Sequence, residues 1–151
     1  KDSPLEAFKK IFETSSIFVS RGDDSGTHFK EMSIWKRTKL NPLKFSGSWY
    51  REVGSGMGAT LNLANGMGAY TITDRASWIN FNNKDGLKMF TEKSQILFNQ
   101  YGIILVNPNR CPNVNYKLAN KFINWLTSSE GQNKIKAFKV KGEQLFFPNA
   151  N

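Results

Sequence analysis

The sequence has 151 residues, 39% of them hydrophobic and 22% charged, with a formal charge of +9, a length that suits one domain with a sizeable buried core. The single Cys111 excludes an intrachain disulfide and a multi-cysteine zinc site, and no apolar run reaches the ~20 residues of a membrane-spanning helix. The charge favours anionic partners. However, Lys9-Lys10, Lys36-Arg37-Lys39 and Lys134-Lys136-Lys139-Lys141 are short, separated clusters that read as solvated faces before they read as a nucleic-acid groove.

In chain order, Ser3-Pro4-Leu5-Glu6 is a helix start, with Ser3 as N-cap and Glu6 completing a capping box. Leu5, Phe8 and Phe12 recur at helical spacing and predict a half-buried helix over Pro4–Glu13. Ile17-Phe18-Val19-Ser20 reads as a buried strand, Arg21–Ser25 as a turn, and a second helix follows from Gly26 or Thr27 until just before Asn41-Pro42. Met57–Asn65 reads as a helix, Ala69–Thr73 as a strand, and Asp74 as the cap of a helix carrying Trp78, Ile79 and Phe81. Leu87–Thr91 and Ile103–Asn107 read as further strands. The tail is helical twice, first with the apolar stripe Leu118, Phe122, Trp125 and Leu126, then from Ser128 or Ser129 to about Phe138. Strands alternating with helices define an α/β class.

The stretch that carries chemistry is Ser20-Arg21-Gly22-Asp23-Asp24-Ser25-Gly26-Thr27-His28. A strand, a polar turn and a helix start aim backbone N–H groups and the positive end of a helix dipole at one spot, which suits an anion. Arg21 adds a planar donor fork. The hydroxyls of Ser20, Ser25 and Thr27 add donors, and Gly22 and Gly26 allow close approach of the backbone. The competing reading is that Asp24, Ser25 or Thr27 caps the helix while Arg21 pairs with Asp23.

The pattern Arg21, Asp23, Ser25, Gly26, Thr27 is similar to the anion-binding loop of periplasmic phosphate-binding proteins. The longer string Phe18–His28 resembles more specifically the tungstate-binding proteins of bacterial ABC importers. So do Gly56-Met57-Gly58-Ala59-Thr60-Leu61-Asn62, Tyr70-Thr71-Ile72-Thr73-Asp74-Arg75 and Phe98-Asn99-Gln100-Tyr101-Gly102. Trp125-Leu126-Thr127-Ser128-Ser129-Glu130-Gly131-Gln132 resembles the closing helices of the same superfamily.

That resemblance implies a type II periplasmic-binding-protein fold, two α/β lobes holding an oxyanion between them. Residues 1–100 then correspond to the second, inserted lobe, and residues 101–151 to a crossover strand and terminal helices of the first lobe. Ser20, Arg21, Ser25, Gly26 and Thr27 become the ligand-binding residues, tungstate the expected ligand, and molybdate or phosphate the alternatives. A membrane permease is the implied partner, and the implied location is periplasmic or lipid-anchored outside the cytoplasm. The start at Lys1-Asp2, without an initiator Met or a signal segment, leads us to expect a processed or truncated product. In the family a Thr/Ser-rich loop on the first lobe supplies the other half of the site, so weak binding is expected of this chain alone. Its terminal helices are expected to self-associate.

Other readings are weaker. Gly54-Ser55-Gly56-Met57-Gly58-Ala59, with Asp74 about twenty residues on, mimics a dinucleotide fingerprint, but Trp49-Tyr50-Arg51-Glu52 is too polar for its buried first strand. His28, the only histidine, is expected on a helix surface, three residues from Ser25 and poorly placed to activate it. No enzymatic activity, cofactor or metal is expected. A nucleic-acid-binding module is the rival class, favoured by charge alone.

Overall fold

The computed structural model describes residues 3–150; Lys1, Asp2 and Asn151, at the limits of the two expected lobes, lie outside the described residues. Helix α1 is Pro4–Glu13 and buries Phe8 and Ile11. Pro4 occupies the first turn, where a missing N–H is harmless. Ser3 stands at the N-cap without a side-chain cap bond, and Glu6 pairs with Lys9 at 3.0 Å instead of closing a capping box.

Strands β1, Phe18–Ser20, and β2, Tyr50–Glu52, pair in parallel, with Phe18 opposite Tyr50 and Ser20 opposite Glu52. A parallel pair needs a long crossover, and here it contains helix α2, Gly26–Thr38, and a 3-10 turn at Pro42–Phe45. Helix α3, Met57–Met67, runs two residues beyond the expected Asn65 and stops where Gly68 turns left-handed at φ 57. On the other side of β1, Tyr70 makes a single parallel bridge to Phe18. The expected strand Ala69–Thr73 goes no further, because the Thr71 hydroxyl, not a main-chain N–H, donates to the Val19 carbonyl at 2.7 Å. Asp74 then caps α4, Arg75–Asn80, accepting from Ser77 N–H at 2.9 Å.

β1 is buried on both faces, as an apolar run in a parallel sheet should be. Phe18 faces Phe8, Ile11, Ile34, Trp35, Trp49 and Tyr50. Val19, pointing the opposite way along the pleat, packs with Ala64 and Ala69. The Trp35 ring lies 4.5 Å from Phe8 and 5.5 Å from Phe18 by centroid. This aromatic packing fixes α1 and α2 against the strand pair.

Two expected strands are absent. Leu87–Thr91 and Ile103–Asn107 carry strand-like apolar patterns, but neither has a hydrogen-bonded strand beside it among the described residues. Leu87 packs against the Val19 cluster while Phe90 is exposed; Ile104 is 88% exposed. An extended segment without a ladder partner leaves its main-chain groups to water.

The chain divides into two compact units, one up to Asn99 and one from Gln100 onward. The second holds α5, Tyr116–Thr127, α6, Ser129–Ala137, and an antiparallel hairpin of β3, Lys139–Val140, and β4, Glu143–Gln144. Ser128 joins the two helices: its hydroxyl donates to the Trp125 carbonyl at 2.7 Å and accepts from Gly131 N–H at 3.3 Å. A Cβ on Gly131 would fall 2.2 Å from the Trp125 carbonyl oxygen, so the corner requires glycine. The hairpin, unforeseen from the sequence, turns at Lys141 and Gly142 with φ 52 and 80, the double positive φ of a tight two-residue turn. Among the described residues no helix is long and apolar enough to cross a membrane.

Candidate functional site

Loop 21–25 leaves β1 and enters α2 at the C-terminal edge of the parallel strands, where open α/β sheets hold their ligands. Two features tie it down. Val53 N–H donates to the Ser20 carbonyl at 3.0 Å and Gly54 N–H to the Arg21 carbonyl at 2.8 Å, so the exit of β2 continues the ladder alongside the loop. Gly22, at φ 56, lets the loop approach β2 so closely that a Cβ there would stand 3.0 Å from the Glu52 Cβ. Asp24 is also left-handed, at φ 56, a conformation that Asp tolerates better than most residues.

Ser25 is the N-cap of α2, its hydroxyl accepting from His28 N–H at 3.3 Å and its carbonyl from Phe29 N–H at 2.8 Å. The N–H groups of Gly26 and Thr27, the first two of the helix, have no acceptor among the described residues. They are therefore open to an anion at the positive end of the helix.

Arg21 donates from one terminal nitrogen to Asp23 Oδ2, and Asp23 Oδ1 accepts from Ser25 N–H at 3.2 Å. Hydrogen bonding from the Ser25 hydroxyl, outweighing burial, and then from Arg21 holds the Asp23 carboxyl below the usual carboxylate range. Both elements of the competing reading, the Ser25 cap and the Arg21–Asp23 pair, are thus present. They leave capacity over: Arg21 Nε is buried without a partner, and a guanidinium has five N–H donors of which Asp23 engages one edge. Asp23 serves as a brace that aims Arg21 and shapes the turn.

Of the five residues expected to bind ligand, Arg21, Ser25, Gly26 and Thr27 come together on the loop and the first helical turn. Ser20 is different. It is fully buried, and its hydroxyl accepts from Gly22 N–H at 3.2 Å, so in this structure it shapes the turn from beneath. His28 differs from the helix-surface expectation as well. Its side chain is only 13% exposed. Asp24 N–H donates to its Nδ1 at 3.0 Å, which leaves the ring proton on Nε2, a buried atom without a partner.

Beneath the loop lies a feature the sequence did not suggest. Glu31, on the inner face of α2, is fully buried. Its Oε1 accepts from the Tyr50 hydroxyl at 2.7 Å and from Trp35 Nε1 at 3.1 Å. Burial pushes its carboxyl upward, and burial together with Glu31 pushes the Tyr50 phenol upward. Only its position four residues before Trp35, on the buried stripe of α2, could have flagged it. The glycine-rich segment Gly54–Ala59 is a turn into α3 with Gly56 as N-cap, and its contribution here is the Gly54 N–H bond to Arg21.

The profile of the PBP superfamily domain matches residues 2–130. A tungstate-binding protein TupA from Peptoclostridium acidaminophilum is 44% identical over 146 residues, covering 95% of this chain and 50% of that protein. The structure of the tungstate-binding protein TupA from Desulfovibrio alaskensis G20 matches with a TM-score of 0.82 at 44% identity, over 99% of this chain and 61% of that one. The structure of the tungstate ABC transporter from Geobacter sulfurreducens matches with 0.77 at 40% identity, over 91% and 57%. This chain spans about half the length of the curated relatives it matches, from 44% to 55%. By the matched domain, by its relatives and by the parallel βα arrangement around the Arg21 loop, the chain belongs to the PBP (periplasmic-binding-protein) superfamily.

Proposed function

We infer that this chain contributes one side of an oxyanion site in the solute receptor of an ABC importer, with tungstate as the ligand and a membrane permease as the partner outside the cytoplasm. The observation that carries the reading is the pairing of unengaged Gly26 and Thr27 N–H groups with a braced Arg21 guanidinium at one helix start. Such a site binds and releases; it offers donors and no nucleophile poised for chemistry. The Thr27 hydroxyl completes the donor set, the Ser25 hydroxyl braces Asp23 and caps α2, and Ser20 supports the turn. On this reading the residues up to about 100 form the second lobe, and those from 101 onward belong with the first.

A fully ionised dianion wants donors only, whereas a protonated phosphate can donate to a carboxylate. Asp23 is engaged with Arg21 and Ser25, which favours tungstate or molybdate over phosphate. The names of the relatives favour tungstate over molybdate. The rival nucleic-acid reading rests on the charge of +9 alone.

One side of a site binds modestly. Arg21 contributes about 2–3 kcal/mol, the helix terminus about 1–2 and two or three neutral donors about 1 each. That total, before the cost of association, corresponds to micromolar affinity at best. The test is calorimetric titration with tungstate beside molybdate, phosphate and sulfate, on this chain and on the chain joined to the remaining length of a tungstate-binding relative. Saturating heat for tungstate that vanishes in Arg21→Ala supports the reading. Silence from both proteins, or retention on DNA with a steep salt dependence and no response to tungstate, overturns it.

A further inference from the structure

Glu31 is a carboxyl with no ion-pair partner among the described residues. It is fully buried, it engages Tyr50 and Trp35 through a single oxygen, and its second oxygen, Oε2, is buried without a partner. Buried acids without a cation keep a proton, because the ionised form is the one that burial penalises. The two donors converge on Oε1, as they do on the carbonyl oxygen of a neutral acid, and Oε2 is the oxygen left to carry the proton.

The position of this group relates it to the loop above. Glu31 lies one turn inward from His28 on α2, the helix whose first turn offers the open N–H groups. Through Tyr50 it fastens α2 to β2. The Ser20 hydroxyl, which fixes Gly22, also acts on both Glu31 and Tyr50. One buried cluster therefore joins the end of β1, the start of β2 and the first two turns of α2, the three pieces that define the loop.

We propose that Glu31 is a positioning residue for the oxyanion loop, that it holds a proton while the anion is bound, and that its deprotonation in alkaline solution weakens oxyanion binding. The inference rests on the oxyanion reading of the loop. A second negative charge beneath a bound dianion repels it, and by linkage the anion raises the proton affinity of Glu31 in return. The proton is exchanged with solvent, at most one per anion bound. The charged and titratable groups around Glu31 are His28 on α2, Tyr50 and then Glu52 on β2, and the Arg21–Asp23 pair in the loop; α1 presents Phe8 and Ile11 to the same core.

The experiment is titration of the chain with tungstate from about pH 6 to about pH 9, in buffers of different ionisation enthalpy, for the wild type, Glu31→Gln and His28→Gln. The expected result is a wild-type affinity about tenfold lower at the alkaline end, with proton uptake on binding, both lost in Glu31→Gln and kept in His28→Gln. An unchanged profile in Glu31→Gln, or its loss in His28→Gln, overturns the proposal. If Glu31→Gln does not fold, proton uptake by the wild type and His28→Gln decides, and none overturns it. If no tungstate binds at any pH, either to this chain or to the chain joined to the remaining length of a relative, the oxyanion reading fails by itself, and thermal unfolding then tests Glu31. A group raised in the folded state stabilises below its unfolded value and loses that contribution as pH rises through the folded one. The wild-type midpoint should fall relative to Glu31→Gln as pH rises, and a constant difference would refute a buried proton.

Discussion

Replacing Gly22 by alanine tests how closely the loop must lie against β2. Two separate effects oppose the methyl group. At φ 56 the residue is left-handed, which costs an L-residue about 1–2 kcal/mol. The new Cβ also stands 3.0 Å from the Glu52 Cβ and 3.5 Å from its Cα, and crowding against a paired strand adds about 1–3 kcal/mol. The expected loss of stability is therefore about 2–5 kcal/mol. Gly68 supplies the internal control, since it is left-handed at φ 57 with nothing within 4 Å of its would-be Cβ. Gly68→Ala should lose only the conformational part, about 1–2 kcal/mol. Urea unfolding followed by tryptophan fluorescence measures both. Equal losses in the two variants would refute the claim that contact with Glu52 holds the loop, whatever their absolute size.

Gly131→Ala should cost about 3 kcal/mol or more, because carbonyl oxygens of Trp125 and Leu126 at 2.2 and 2.8 Å cannot move aside as a side chain can; loss of hydrogen-exchange protection confined to α5 and α6 is the readout, and unchanged protection would contradict it. Asp23 is depressed in the folded state, so its contribution is present above the unfolded carboxyl value of about 3.9 and disappears as pH falls through the folded one. The stability of the wild type relative to Asp23→Asn should accordingly shrink as pH falls below about 5, by under about 1 kcal/mol for a partly solvated pair. Leu118, Phe122 and Trp125 leave an apolar face on α5 exposed, and sedimentation velocity should show concentration-dependent association that Phe122→Lys weakens. A monomer at every concentration would count against that face as a contact.

Where local chemistry decided structure, the sequence was readable. Ser25, Asp74 and Ser128 each cap the helix they precede, and a cap needs only neighbours within one turn. The Arg21 loop was readable for the same reason. Strands were harder, because a strand is defined by its partner. Ile103–Asn107 has the composition of a strand and lacks a neighbour, and Ala69–Thr73 loses its ladder to one threonine hydroxyl. The hairpin at Lys141-Gly142 escaped because only one of its two left-handed positions is a glycine. Glu31 escaped because a lone glutamate in a helix is ordinarily a solvated one, and its burial depends on Tyr50, nineteen residues away.

The parallel pairing of β1 and β2 has a kinetic consequence. Because both strands run the same way, the helices that follow them, α2 and α3, both begin at the same edge of the sheet. Their positive ends add rather than cancel, and the net positive charge of the chain favours the approach of anions. If the loop holds an oxyanion as proposed, a small dianion is drawn toward Arg21 before it touches any donor. Its association rate should drop steeply as added salt shortens the reach of that field to about 10 Å at 0.1 M, while the short hydrogen bonds that govern its departure are screened far less. Ionic strength would then regulate how fast the anion is captured more than how long it is held.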